Sequence, residues 1–291
     1  MYSCVCIKQT PDSSSVYIDP ISGQVDAGRF VQILNPADAC ALEAAVRLKE
    51  QFGGTVLALT LGPADAAGAL RAALAIGADQ AVRLWNPRAN SWGPFAVAAA
   101  LAGYISQHTP DLVLCGDSSS DWGSGSVGPA IAEYLDLPQI TSVMQFAVTR
   151  DTTDGIPSLQ VTRRLERSYR EILAARPPLL LTVTSDLNEP RYPSLPAHMA
   201  ALQATIPVHD ALPLLDSAAY ADQDETVILE MHTPRPLTHR IAAPISQHSA
   251  FERIGEILAG GATGRQTRIV DGSSEELARA LVAFLREKGF V

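Results

Sequence analysis

Along residues 1–140 the apolar positions fall into two alternating patterns. Unbroken runs, YSCVCI (2–7), TVLALTL (55–61), QAVRLW (80–85) and DLVLC (111–115), have the length of strands buried on both faces. Between them apolar residues recur at three- and four-residue steps. Ala41, Leu42, Ala45 and Leu48 predict a helix over about 36–51, with Asn35 set as its N-cap, Pro36 in its first turn and Gly53-Gly54 as its stop. The segments AAGALRAALAIGA (66–78), GPFAVAAALAGYISQH (93–108) and AIAEYL (130–135) predict further helices. Strand–helix units of this length assemble into a parallel sheet with helices on both faces, an α/β fold.

The rhythm changes after residue 140. QITSVMQFAV, LQVTRRL and REIL predict strands joined through the turn signal DTTDG, hence an antiparallel excursion, and PPLLLTVT (177–184) returns to the sheet. From Asn188 the chain reads as Pro-rich and irregular, and residues 205–250 show little periodicity while holding four of the six histidines. SEELARALVAFLREKGF (274–290) predicts a last helix, capped by Ser273 or Ser274 with acids in its first turn. The expected division is an α/β domain over 1–190 and an extended C-terminal arm over 191–291. No internal repeat is visible.

Composition narrows the function classes. The 291 residues are 47% hydrophobic and 18% charged, which favours a large core over disorder. A net charge of −9 argues against broad contact with nucleic acid or anionic membrane. Cys4, Cys6, Cys40 and Cys115 form no C-x-x-C pair, and Cys4 and Cys6 alternate along a strand as core residues do. The start MYSCVCIKQTPD has no charged n-region or apolar h-region, and no run reaches 18 apolar residues. The expectation is a reduced, soluble, cytoplasmic protein. His232 and His239 stand seven apart without H-x-x-x-H or C-x-x-C support, so no metal site is expected.

The stretch CGDSSSDWGSGSVGP (115–129) is the chemical candidate. Small residues between a strand and a helix let backbone N–H groups approach an anion, and the helix N-terminus adds its dipole. Gly123 to Gly128 match G-x-G-x-x-G only loosely, since no acid follows about 20 residues on and the loop is not after the first strand. Neither Ser124 nor Ser126 lies in G-x-S-x-G, which disfavours a serine hydrolase. From these residues alone, a phosphate cradle and a plain strand–helix connector both stand.

Six ordered pieces decide between them. CIKQTPD, ILNPADACALEAAVRLKEQFGG, LTLGP, LRAALAIGADQAVRL, GPAIAEYLDLPQIT and LNEPRYPSLPAHM resemble the beta subunit of electron transfer flavoprotein, including its nitrogen-fixation-linked relatives. The resemblance spans about residues 1–205, and the last helix fits it. It implies a Rossmann-like domain of the adenine-nucleotide-binding hydrolase type, in a heterodimer whose alpha subunit holds most of an electron-carrying FAD. The beta chain holds an adenine nucleotide, AMP in most members and a second FAD in electron-bifurcating ones. The partners implied are that alpha subunit and a flavin dehydrogenase or quinone oxidoreductase, with no membrane insertion.

Carried onto this sequence, the resemblance puts the nucleotide pocket on Cys6, Asn35, Leu61, Gly116, Asp121, Gly123, Ser124, Gly125, Ser126, Val127 and Gly128. All are at carboxyl ends of predicted strands or in the loops beyond them, where open α/β sheets bind ligands. No catalytic residue is expected, because the flavin carries the chemistry. The segment RYPSLPAHM becomes a recognition loop with Leu195 as the partner anchor. Departures are visible against the family's G-R-Q-x-x-D-x-D-T-x-Q-V-G-P. Asp121, Val127, Gly128 and Pro129 are kept. Ser118 and Ser126 stand where glutamines are usual, Gly123 for the second acid, Ser124 for Thr, and Asp117 for a base. Trp122 is expected to pack against the arm. The lysines usual after the anchor are replaced by Ala200, Ala201, Gln203 and Ala204, and Arg164 replaces an acid usual near the alpha-subunit flavin. The alternative function is a nucleotide-binding regulatory or assembly module without electron transfer. A pyrophosphatase-like enzyme is disfavoured because CIKQTPD stands where S-G-G-x-D-S would.

Overall fold

The computed structural model describes residues 1–17, 19, 30–150, 157–215, 248–258 and 272–287. The chain divides into two units, Met1–Thr233 and Pro234–Val291. In the first unit, strand β1 (Tyr2–Cys6) leads into an antiparallel ribbon of β2 (Gln9–Pro11) and β3 (Gln32–Leu34). Then come α1 (Pro36–Phe52), β4 (Thr55–Leu61), α2 (Ala67–Ile76), β5 (Gln80–Trp85), α3 (Pro94–Ser106), β6 (Leu112–Gly116) and α4 (Val127–Tyr134). The excursion is β7 (Gln139–Arg150), β8 (Pro157–Arg164) and β9 (Arg170–Ala175), and β10 (Leu179–Val183) returns. Helix α5 (Leu195–Gln203) and β11 (Val208–Asp210) complete the described part of this unit.

The sheet has nine strands in the order β11-β5-β4-β1-β6-β10-β7-β8-β9. Every pair from β11 to β7 is parallel, and β7-β8 and β8-β9 are antiparallel. Alternate residues of the central strands feed two cores. Val5, Val56, Ala58, Leu112, Leu114, Leu179 and Leu181 face α1 and α2. Cys4, Cys6, Leu57, Leu59, Val113, Cys115 and Leu180 face α3 and α4. Both faces are covered, which is why these strands read as unbroken apolar runs. The four cysteines are free and buried. Among the described residues no helix is long and apolar enough to cross a membrane.

The chain crosses from β5 on one side of β1 to β6 on the other. That reversal opens a crevice at the carboxyl ends of β1 and β6, the usual ligand position of open α/β sheets.

The structure departs from expectation in places where periodicity was weak. The Pro-rich stretch after Asn188, read as irregular, contains α5, because Ser194 accepts a bond from the Ala197 N–H and Pro196 fits the first turn. Val208–Asp210, inside the stretch of little periodicity, adds a strand beside β5. Helix α4 begins at Val127, three residues before the predicted Ala130. The turn DTTDG, His232 and His239 lie outside the described residues.

In the second unit, α6 (Ala250–Leu258) and α7 (Ser274–Glu287) each open with a reciprocal cap. Ser249 and Glu252 form one, and Ser273 and Glu276 the other, each side chain bonding the partner's backbone N–H. Phe251 and Ile254 of α6, and Leu281, Val282 and Phe284 of α7, are exposed.

Candidate nucleotide site

The loop between β6 and α4 is held along its first half. Asn35, which makes two of the bonds involved, is 2% exposed. Its position is that of an N-cap, and its carbonyl accepts from Ala39, but its side chain does not cap α1. The carboxamide instead donates to Ser118 O at 3.0 Å and accepts from Ser120 N at 3.1 Å, a pair of bonds that clamps the loop. Thr10 Oγ1 accepts from Ser120 Oγ at 2.9 Å. Lys8 Nζ sits 2.7 Å from Asp121 Oδ2. Burial raises the Asp121 carboxyl, but the Lys8 ammonium, the Ser119 hydroxyl and the Trp122 N–H outweigh it and hold the group below its ordinary value.

Beneath the loop lies Asp38, fully buried in the first turn of α1. Its Oδ1 accepts from Gly116 N at 2.7 Å and its Oδ2 from Lys8 N at 2.8 Å, tying the ends of β6 and β1 together. Burial pushes this carboxyl up to about 7, against the lowering effect of those N–H groups and of Asn35. Gly116 is dictated by the approach of α1: a Cβ there would stand 2.5 Å from Asp38 Oδ1 and 2.7 Å from Ala37 Cβ.

The second half of the loop is open. Gly123 and Gly125 adopt φ of +63° and +62°, a region that suits glycine. Gly125 is followed by Ser126 in the right-handed region, so successive N–H groups converge as in an anion-binding nest, directly before the α4 N-terminus. Ser126 Oγ and Ser124 Oγ are 3.2 Å apart on the same rim. Gly128 lets α4 rest on the sheet, since a Cβ would meet Cys115 Sγ and Thr182 Cγ2 at 2.7 Å. Val127 packs partly against the core under α3 and α4. Beyond Ser126 a cleft of about 320 Å³ is lined by Phe95, Pro129, Ala130, Glu133 and Tyr134. Two left-handed glycines, a helix N-terminus and two hydroxyls are chemistry that suits a phosphate group.

Of the remaining expected positions, Cys6 and Leu61 both belong to the core under α3 and α4, at the ends of β1 and β4. The Cys6 thiol is held well above its ordinary value by its contact with Cys4 and by burial, and burial does the same to Cys115. Protonated thiols of this kind line a site rather than ligate or attack. Trp122, expected to pack, is 73% exposed. Arg164 reaches the loop from the end of β8, 3.8 Å from Asp117 Oδ2 and 3.5 Å from Asp186 Oδ2.

Leu195 stands apart from this cluster. It is the first residue of α5 rather than a loop residue, and it is 73% exposed. Met199 and Leu202 come after it at helical spacing and are also exposed, and Tyr192 precedes them, so Leu195 is one member of an apolar stripe. Asp38, Lys8 and Thr10 were not apparent from the sequence. Asp38 looks like an ordinary first-turn acid. Its proximity to an Asn-Pro helix start, opposite a Gly at a strand end, was the available signal.

Comparison with known proteins supplies the family. The model of the electron transfer flavoprotein domain matches residues 25–214. The electron transfer flavoprotein subunit beta of Thermoanaerobacterium thermosaccharolyticum is 41% identical over 191 residues, covering 66% of this chain and 71% of that one. Protein FixA of Azotobacter vinelandii is 33% identical over 263 residues, 86% of this chain and 90% of the relative. The caffeyl-CoA reductase-Etf complex subunit CarD of Acetobacterium woodii is 35% identical over 234 residues, 79% and 87% of the two chains. With the parallel sheet and the open loop at its carboxyl edge, these matches establish that the chain belongs to the electron transfer flavoprotein beta-subunit family.

Proposed function

We propose that this chain is the beta half of a heterodimeric electron transfer flavoprotein and that its β6–α4 loop holds an adenine nucleotide. The observation that carries the reading is the nest at Gly123–Val127, which follows a stretch, Ser118–Asp121, that Asn35, Thr10 and Lys8 hold in place. Anchoring the chain up to Asp121 lowers the cost of ordering the nest when a phosphate binds. Cys6, Leu61 and Gly116 form the wall between the loop and the sheet. The electron-carrying FAD is held mainly by an alpha-type subunit and supplies the redox chemistry when bound. The residues of this chain bind and orient, and none is assigned proton transfer.

The nucleotide is AMP or a second FAD. Electrons pass from a flavin dehydrogenase to a downstream acceptor such as a quinone oxidoreductase, with Leu195 as docking anchor on the apolar stripe. The exposed apolar positions of α6 and α7 favour a C-terminal arm that packs on the alpha subunit. A cytoplasmic setting accords with the four free thiols.

The test is to co-express the chain with its alpha-type partner, denature the purified pair and identify the released nucleotides by mass. AMP with one FAD per pair, or two FAD and no AMP, supports the reading. One FAD and no second nucleotide refutes the nucleotide role of the loop and leaves it a connector.

A further inference from the structure

Helix α1 makes contacts of two kinds along its length. Its first turn is bonded to the β6–α4 loop through Asn35 and Asp38. Its body is bonded to the chain that leaves β10. Asn188 Nδ2 donates to Cys40 O at 2.9 Å, Cys40 Sγ donates to Asn188 O at 3.4 Å, and Arg47 reaches Glu189 O at 3.1 Å. Arg191 completes the attachment. Its guanidinium donates to Glu43 Oε2 at 2.9 Å and Oε1 at 3.1 Å, and to both oxygens of Glu50, while its own N–H bonds Glu43 Oε2 at 3.2 Å. The Glu43 side chain is 1% exposed and also takes the Arg47 guanidinium. A planar fork that satisfies two carboxylates at once is a task for which Arg is suited and Lys is not.

The residue after this cage, Tyr192, is 95% exposed. Leu195, Met199 and Leu202 lie beyond it on one side of α5, while Ala201 is buried and α5 packs against α2. We infer that Arg191 is a positioning residue for this stripe: it clamps the segment's start to α1, so that α1 links the occupancy of the β6–α4 loop to the order of the docking segment. The inference rests on the nucleotide and docking roles proposed above and adds a coupling between them. Nucleotide at the nest steadies the loop, the loop holds Asn35 and Gly116, these hold the first turn of α1, and the body of the same helix holds residues 188–191.

Hydrogen exchange on the heterodimer tests it, with peptides covering 112–128 and 188–203, before and after charcoal removal of nucleotide. Removal is expected to speed exchange in both stretches about tenfold, equivalent to about 1.4 kcal/mol. Arg191→Gln is expected to speed 188–203 by a similar factor with nucleotide still bound, and to abolish the further response of that stretch to nucleotide removal. Arg191→Lys should restore part of the protection. Glu50→Gln removes only the exposed carboxylate and should give a smaller effect in the same direction, which keeps the test open should Arg191→Gln not fold. Unchanged exchange over 188–203 when nucleotide leaves the wild-type pair would overturn the inference. Purification of a pair that never held nucleotide on this chain would instead remove the functional reading beneath it.

Discussion

The β6–α4 loop and the segment from 188 to 203 are both tied to α1, yet they are built in opposite ways. The loop spends backbone groups. The Gly116 and Ser120 N–H groups and the Ser118 C=O are answered by Asp38 and Asn35, and its glycines stand where a Cβ has no room or where φ is positive. The segment from 188 to 203 uses side chains. One guanidinium and two carboxylates fix its start, and the remainder presents exposed apolar side chains. A phosphate site needs N–H groups at set positions before the ligand arrives. A docking face needs uncovered apolar area that the partner will bury.

That contrast breaks most easily at Gly116. Gly116→Ala drives a Cβ into Asp38 and Ala37, and should cost about 2–3 kcal/mol in urea unfolding together with loss of retained nucleotide. An unchanged midpoint would mean that α1 moves freely away from β6. Asp38 sharpens the loop side through pH. Its folded pKa is raised to about 7, so its contribution to stability is fully present below the unfolded value near 4 and is lost as pH rises through about 7. Melting temperatures at pH 5.5 and 8 should therefore differ more in wild type than in Asp38→Asn, and equal pH dependence would remove Asp38 from the account. Asn35→Ala removes both loop bonds and should cost about 1–2 kcal/mol, with faster exchange in the loop and a weaker increase over 188–203. Lys8→Ala breaks a part-exposed pair and should cost only about 0.5 kcal/mol. Leu195→Ala should leave stability within about 0.5 kcal/mol, being exposed, while slowing electron transfer from a partner dehydrogenase. Unchanged transfer kinetics would remove Leu195 as the anchor.

Much of the fold could be read from pattern because the parallel strands are buried on both faces. TVLALTL and QAVRLW became β4 and β5 at the predicted bounds, and the helix over 36–51 ends one residue later, at Phe52. The elements that escaped were local and irregular. Helix α5 is short and Pro-led, with exposed apolar positions that do not mark a core face. The β2–β3 ribbon has three residues per strand, too few for a period to register. At the site, the loop was legible from Gly and Ser spacing. Asn35 was legible as a helix start but not as a clamp, since the partner atoms are the backbone of Ser118 and Ser120, 83 to 85 residues away. Asp38 was invisible for the same reason: its burial follows from the approach of Gly116, which only the crossover between β5 and β6 brings about.

The proposed adenine-nucleotide site turns on the nest around Gly125. Its most direct test is the nucleotide content per heterodimer of Gly125→Val against wild type, with the flavin of the alpha-type subunit as internal reference. A β-branched residue at a φ of +62°, with its Cβ 3.0 Å from Asp117 O, deforms the nest and little else. Loss of one adenine nucleotide per pair, with one FAD retained, is the expected result. Full retention of both would contradict it.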